Sequence, residues 1–181
     1  LNNAKKLNNI IYSLQAAEKT NFPNNFFNLI IVAQAVHWFN FNQFYAEVNR
    51  TVKNNSLVVI IGYGQLQINK SVDTVLNHFY KNIIGSYWDK ERKYIDENYK
   101  TIPFPFKELE TPIFKNQYRW TLEQLIGYLN TWSAVQHYIK SNNKNPINLI
   151  YDNLKQSWGQ AKTHVVNFPL LLRVGRIQKN E

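Results

Sequence analysis

The side chains able to do chemistry gather in three short stretches, each at the end of a largely apolar run. They are Ala16-Ala17-Glu18, Ala33-Gln34-Ala35-Val36-His37-Trp38 and Gly62-Tyr63-Gly64. In an open parallel sheet, ligands bind at the carboxyl ends of the strands, where small residues let the backbone come close. Glu18 and Gln34 can hydrogen-bond such a ligand, and His37, Trp38 and Tyr63 would stand beside it. Other chemistries find no support. The chain has no cysteine, so a thiolate nucleophile, a thiolate metal site and a disulfide are excluded. His78, His137 and His164 lack ligand-like spacing, so no metal is expected, and no Gly-Xaa-Ser-Xaa-Gly elbow is present.

The elements that must position these residues are readable from periodicity. Residues 1 to 9 carry Leu1, Ala4 and Leu7 at helical spacing, the tail of a helix. Ile10 to Ala17 reads as a buried strand, followed by the turn-rich Asn21-Phe22-Pro23-Asn24-Asn25. Leu29 to Ala35 and Leu57 to Ile61 are continuous apolar runs, the mark of strands buried on both faces. Between them Asn40 is a good N-cap, and Phe41, Phe44, Tyr45, Val48 and Val52 form an amphipathic helical face that Lys53-Asn54-Asn55-Ser56 should break. Strand, helix and strand in about 35 residues predict a βαβ unit of a parallel sheet.

From residue 65 the pattern becomes helical. Val72, Val75, Leu76, Phe79, Tyr80, Ile83 and Ile84 make one face, and Trp88 to Tyr99 suggests a second, shorter helix. Two prolines keep Thr101 to Phe106 out of any helix interior or central strand. Ile113 to Trp120 suggests a strand. Thr121-Leu122-Glu123-Gln124 fits a capping box, opening a helix that carries Leu125, Leu129, Trp132 and Ile139. Asn145-Pro146 caps another, which stops at Gly159. Val165 to Ile177, interrupted at Pro169, is the last strand or hairpin arm.

The 181 residues carry a net charge of +9, which raises nucleic acid as a partner. Against it, the cations are scattered, and the densest group, Lys90 to Lys93, is interrupted by Glu91. Asparagine supplies 26 of the 181 residues, so the charge reflects missing aspartates rather than a basic stripe of the kind that binds nucleic acid. No apolar run approaches the roughly 20 residues that cross a bilayer, and Leu1 to Lys6 has no signal-like apolar core. A soluble, cytoplasmic protein is expected. The absence of methionine suggests a piece of a longer chain.

Several of these stretches also resemble a known family. Ala17-Glu18-Lys19-Thr20-Asn21-Phe22-Pro23-Asn24-Asn25 with Phe27-Asn28-Leu29-Ile30 resembles the AExxPFPDxSFDLI passage of class I S-adenosylmethionine-dependent methyltransferases. Ala33-Gln34-Ala35-Val36-His37-Trp38-Phe39-Asn40 resembles the AQAxHWFD block of a subgroup that includes trans-aconitate methyltransferase relatives. Trp120 to Leu125, Gly127-Tyr128-Leu129 and Thr131-Trp132-Ser133-Ala134-Val135 resemble that subgroup's substrate-side helix.

The resemblance implies an α/β fold, a partial Rossmann-like parallel sheet of the class I methyltransferase kind, with an inserted α-helical lid and a C-terminal antiparallel strand. Residues 1–64 would be the later part of the cofactor sheet, 65–112 the lid, and 113–181 the remaining strands and substrate-side helices. S-adenosylmethionine is the implied cofactor, a small molecule the implied acceptor, with a carboxylate suited to the positive charge. Ala17 and Glu18 would lie near the adenine, and Ala33, Gln34 and Ala35 under the sulfonium and amino-acid end. His37 and Trp38 would border the transfer site, while Tyr63, Tyr87, Trp88, Trp132 and Gln136 are candidates for the acceptor pocket. The family's glycine-rich loop would precede residue 1. Asn24, Asn28 and Asn40 depart from common aspartates, Asn54-Asn55-Ser56 from a Pro-Gly-Gly turn, and Ala16 from a frequent carboxylate. The alternative is an inactive fragment or binding module with the same fold.

Overall fold

The computed structural model describes residues 3–179. They form two compact units, described in turn: one drawn from Leu1–Ile61, Ile102–Thr111 and Leu172–Glu181, the other from Gly62–Thr101 and Pro112–Leu171. No helix among the described residues is long and apolar enough to cross a membrane.

The first unit is built on a four-stranded sheet. β1 (Phe27–Ala33) leads through a 3-10 turn at Val36–Trp38 into α1 (Phe41–Thr51), and the chain returns in β2 (Val52–Tyr63). β1 and β2 pair in parallel from Leu29 opposite Leu57 to Ala33 opposite Ile61, so the expected βαβ unit is present. The Asn40 side chain accepts a hydrogen bond from the Gln43 amide and caps α1, whose Phe44, Tyr45 and Val48 are buried. The sheet order is β1-β2-β6-β3, with β3 at Lys107–Leu109 and β6 at Leu170–Ile177; β3 runs antiparallel to β6. β3 follows directly on the proline-rich stretch and takes the sheet edge, where only one flank needs partners.

Several expectations need correction here. Leu1 lies outside the described residues; residues 3–9 form turns and coil rather than a helix tail. Ile10 to Ala17 is not a strand. It has only an isolated bridge from Ala16 to Lys19, and Ile11 and Leu14 are 93% and 91% exposed. A strand needs a ladder partner for its backbone groups, and none of the described residues supplies one. β1 is not buried on both faces either: it is an edge strand, with Leu29 and Ile31 exposed. α1 does end at Thr51, just before Lys53 to Ser56, as expected, but the strand expected from Leu57 already starts at Val52 and takes in Lys53 to Ser56. These residues form a bulge inside β2, marked by a register shift between Phe27 and Leu29 and by Asn55 at φ 61°. The turn chemistry was real, but the chain used it to bend a strand.

The second unit is mainly helical. α2 (Lys70–His78) is capped by the Asn69 side chain and passes into a π turn at Phe79–Ile83. α3 (Arg92–Asp96) is shorter than the Trp88 to Tyr99 stretch expected to form it. β4 (Gln117–Trp120) pairs antiparallel with β5 (His164–Asn167), and Ile113 to Asn116 stays outside the strand. Thr121 and Gln124 make the full capping box of α4 (Leu122–Asn130). The helix expected to continue to Ile139 instead breaks at Thr131-Trp132 and restarts as α5 (Ser133–Asn142). The break lets Trp132 point into the core, 6% exposed, next to Leu129 and Val135. Asn145-Pro146 starts a 3-10 turn at Pro146–Leu149, followed by α6 (Tyr151–Trp158), which Gly159 ends at φ 72°. Val72, Leu76, Phe79, Ile84, Leu125, Leu154 and Val166 are buried in one continuous core.

Candidate functional site

In the first unit, the segments before and after β1 meet. Ala16 to Lys19 closes a tight turn through a hydrogen bond from the Lys19 amide to the Ala16 carbonyl, 3.2 Å. Ala17 therefore sits at a turn corner and lines a cavity of about 410 Å³ together with Ala33 and Ala35. The carboxylate of Glu18 accepts a hydrogen bond from the Asn40 amide, 2.9 Å, which ties this turn to the start of α1. Past β1, Gln34 turns the chain at φ 52° while its amide donates to the Ile61 carbonyl, 2.8 Å. A left-handed glutamine costs on the order of 1–3 kcal/mol. It is held there by the bond to β2, and the kink redirects the chain into the His37-Trp38 turn. His37 is 6% exposed and Trp38 56%, with ring centroids 5.1 Å apart.

The turn is anchored by two residues that the sequence reading passed over. Glu47 accepts from the Thr20 amide at 2.7 Å and from its hydroxyl at 2.6 Å. Arg50 pairs with Glu47 at 2.7 Å and donates to the Phe22 and Thr20 carbonyls. The hydrogen bonds from Arg50 and Thr20 hold the Glu47 carboxyl down to about 2, outweighing burial. Their signal was available: Glu47 and Arg50 stand at i and i+3 on α1, with Glu47 at the margin of its buried face.

The cavity beside β1 has two characters. Its body is apolar, walled by Phe27, Ile30, Val32, Phe44 and Val48, which suits packed side chains. A cofactor with a charged sulfonium, a ribose and an amino-acid end does not fit there. Ala17, Ala33 and Ala35, also in the cavity's lining, have side chains small enough to let a ligand approach the backbone.

In the second unit, Trp88 and Trp132 come together with ring centroids 5.5 Å apart, and Tyr80 packs on both at 4.8 and 5.8 Å. Tyr63 stacks edge-on against Phe168 at 5.5 Å and is hydrogen-bonded to the Tyr128 hydroxyl, so it joins the same cluster. Two further candidates are engaged differently. Tyr87 accepts a hydrogen bond from Asn142 at 2.9 Å and packs on Tyr138. Gln136 donates to the Asn130 carbonyl at 2.6 Å and secures the break between α4 and α5.

Sequence reading missed the polar heart of this cluster. The Arg92 guanidinium lies 4.6 Å from the Trp88 ring and 5.4 Å from the Tyr80 ring. Its Nε donates to the Tyr80 hydroxyl at 2.8 Å, which in turn donates to Asp96 at 2.6 Å. Burial pushes the Tyr99 and Tyr128 phenols up to about 12 and Tyr80 higher still, while the Arg92 charge opposes the rise in each. These hydroxyls therefore stay protonated and are hydrogen-bond donors. Asn98 and Tyr99 are both left-handed, at φ 55° and 59°, strain that the complete burial of Tyr99 maintains. A polar cavity of about 360 Å³, bordered by Gly64, Lys81 and Asn98, shares Tyr80 and Asp96 with the cluster. Trp88, Arg92 and Asp96 are spaced by four, so the signal was one helical face.

Residues 1–60 match a family described as "Methyltransferase domain". A Dictyostelium discoideum protein named as a methyltransferase is 35% identical over 179 residues, covering 95% of this chain and 68% of that protein. A solved structure from Anaeromyxobacter dehalogenans, named as a type II methyltransferase, superposes with a TM-score of 0.88 at 31% identity. That match covers 99% of this chain and 77% of the other.

Proposed function

For a chain that belongs to the class I S-adenosylmethionine-dependent methyltransferases, with their Rossmann-like fold, we propose that the acceptor is a small molecule carrying a carboxylate. The observation that carries this reading is the cluster of Tyr63, Tyr80, Trp88, Tyr128 and Trp132 with the Arg92 guanidinium against its Tyr80 and Trp88 rings. Aromatic walls suit a small organic body, and the net charge of +9 suits an anion. The Ala33-to-Asn40 and Thr131-to-Val135 blocks support placing the chain with the trans-aconitate methyltransferase relatives.

S-adenosylmethionine would supply an electrophilic methyl group, with S-adenosylhomocysteine as the leaving group, and an ionised carboxylate acceptor has no proton to lose. The protein's work is then alignment and exclusion of water. Ala17, Ala33 and Ala35 let the backbone close on the cofactor, and Glu18 holds its turn against α1. Gln34 sets the kink that presents Trp38, whose exposed ring face suits a cation. His37, buried beside it, positions Trp38 instead of removing a proton.

The test is calorimetric titration of S-adenosylhomocysteine into this chain and into one extended upstream in its natural reading frame, since the resemblance puts the glycine-rich loop there. Binding by either form, weakened at least tenfold by W38A, is expected. No binding by two folded proteins would overturn the cofactor reading, and an unaffected W38A would remove Trp38 from the site.

A further inference from the structure

Arg92 is a cation in an unusual position. Its side chain is only 18% exposed, yet its hydrogen bonding runs through Nε alone, to Tyr80, with Asp96 at 3.5 Å from the same nitrogen. Among the described residues, no side chain or carbonyl accepts from Nη1 or Nη2. A guanidinium has five N–H donors, and Nη1 and Nη2 are not among the fully buried polar atoms that lack a partner, so they are accessible to a ligand or to solvent. The ring faces of Trp88 and Tyr80 lie against the guanidinium and attract its charge, but they provide no acceptor. Asp96 answers the charge only partly, because it is 45% exposed and shared with the Tyr80 hydroxyl.

The surroundings extend the pattern. Tyr99 is fully buried and feels the Arg92 charge, as does Tyr128. The backbone that carries the Tyr99 phenol is left-handed at both Asn98 and Tyr99. A forked cation stacked on indole and flanked by neutral phenolic donors is the arrangement that recognises a planar anion by charge and by paired hydrogen bonds. The cavity that shares Tyr80 and Asp96 leaves room for the rest of a ligand.

We propose that Arg92 is the anion-anchoring residue of the second unit: its Nη1 and Nη2 pair with a carboxylate of the bound small molecule, Trp88 and Tyr80 hold the guanidinium plane, and Asp96 competes for it when the site is empty. This deepens the acceptor reading above and rests on it for the identity of the ligand as a methyl acceptor. Arg92 thereby sets specificity, and the opposition of Asp96 gives a signature that a purely structural ion pair lacks.

The experiment uses two matched probe pairs, benzoate with benzamide and succinate with succinamide, titrated by ligand-observed NMR into the protein and its R92M, R92K and D96N variants. Circular dichroism checks that each variant is folded. The carboxylates should bind at least tenfold more tightly than their amides. R92M should erase that preference, R92K should keep part of it, and D96N should tighten carboxylate binding severalfold by removing the competitor. Equal binding of acid and amide by the natural protein overturns the proposal, as does an undiminished preference in folded R92M. Loss of carboxylate binding in folded D96N also overturns it, because that result makes the pair merely structural. If R92M does not fold, the R92K and D96N arms decide. S-adenosylhomocysteine titrated into the same samples separates this proposal from the broader one. Nucleoside binding without acid preference overturns the anchor alone. An Arg92-dependent acid preference with no nucleoside binding by this chain or by the upstream-extended one keeps the anchor and overturns the methyl-transfer site.

Discussion

Glu47 and Arg50 matter because they hold a loop that has little else to hold it. The chain from Thr20 to Asn24 is tied to α1 through one carboxylate and one guanidinium. Arg50 is about a third exposed, so water screens the charge attraction, and the hydrogen bonds, from Arg50 first and from Thr20 next, carry the effect. E47Q should cost about 1–3 kcal/mol, because a buried acceptor pattern is replaced by one with a misplaced donor. Urea unfolding at pH 7 measures this. The carboxyl has an ordinary value of 4.5 and is held down to about 2 in the fold. Its contribution is thus fully present above pH 4.5 and lost as pH falls toward 2. The natural protein should lose more stability than E47Q over that window. Parallel pH profiles would refute the assignment.

At the scale of elements, local signals proved readable and tertiary ones did not. The Thr121 capping box, the Asn40 cap and the Asn145-Pro146 start all stand where the residues indicated, because a cap depends on neighbours within four residues. T121A should accordingly cost about 1 kcal/mol in thermal unfolding. The break at Thr131-Trp132 was not readable, since the apolar spacing runs straight through it and only the core contact of Trp132 explains it. β3 was hidden for a similar reason. Its pairing with β6 depends on Gly175, where an added Cβ would lie 2.8 Å from Phe106 and 2.9 Å from the Phe104 ring. G175A should therefore lose about 1–3 kcal/mol through overpacking, read as a lower urea midpoint with unchanged slope. The site divides the same way. Small residues marked Ala33 and Ala35 at the end of β1, and Ala17 at what proved to be a turn, whereas Arg92 lay inside a stretch read only as a short helix and a group of charges. Its burial depends on rings brought in from Trp88 and Tyr80.

For the molecule as a whole, the first sheet ends on a strand that carries its own hazard. β1 pairs with β2 on one side only, and it presents Leu29 at 46% and Ile31 at 59% exposure, with Ile11 and Leu14 more exposed still. An unpaired strand edge bearing apolar side chains is a template for another chain, and proteins commonly guard such edges with a lysine. Neither Phe27–Ala33 nor the segment before it to Asn21 holds a charged residue, so no such guard is in place. This chain should self-associate with rising concentration in sedimentation velocity runs. Residue 31 is exposed, so I31K should shift the distribution toward monomer and change folding stability by no more than about 0.5 kcal/mol. A natural chain that stays monomeric across the concentration range would show that this edge is covered in solution. An I31K protein that associates as readily as the natural one would move the contact to some other surface.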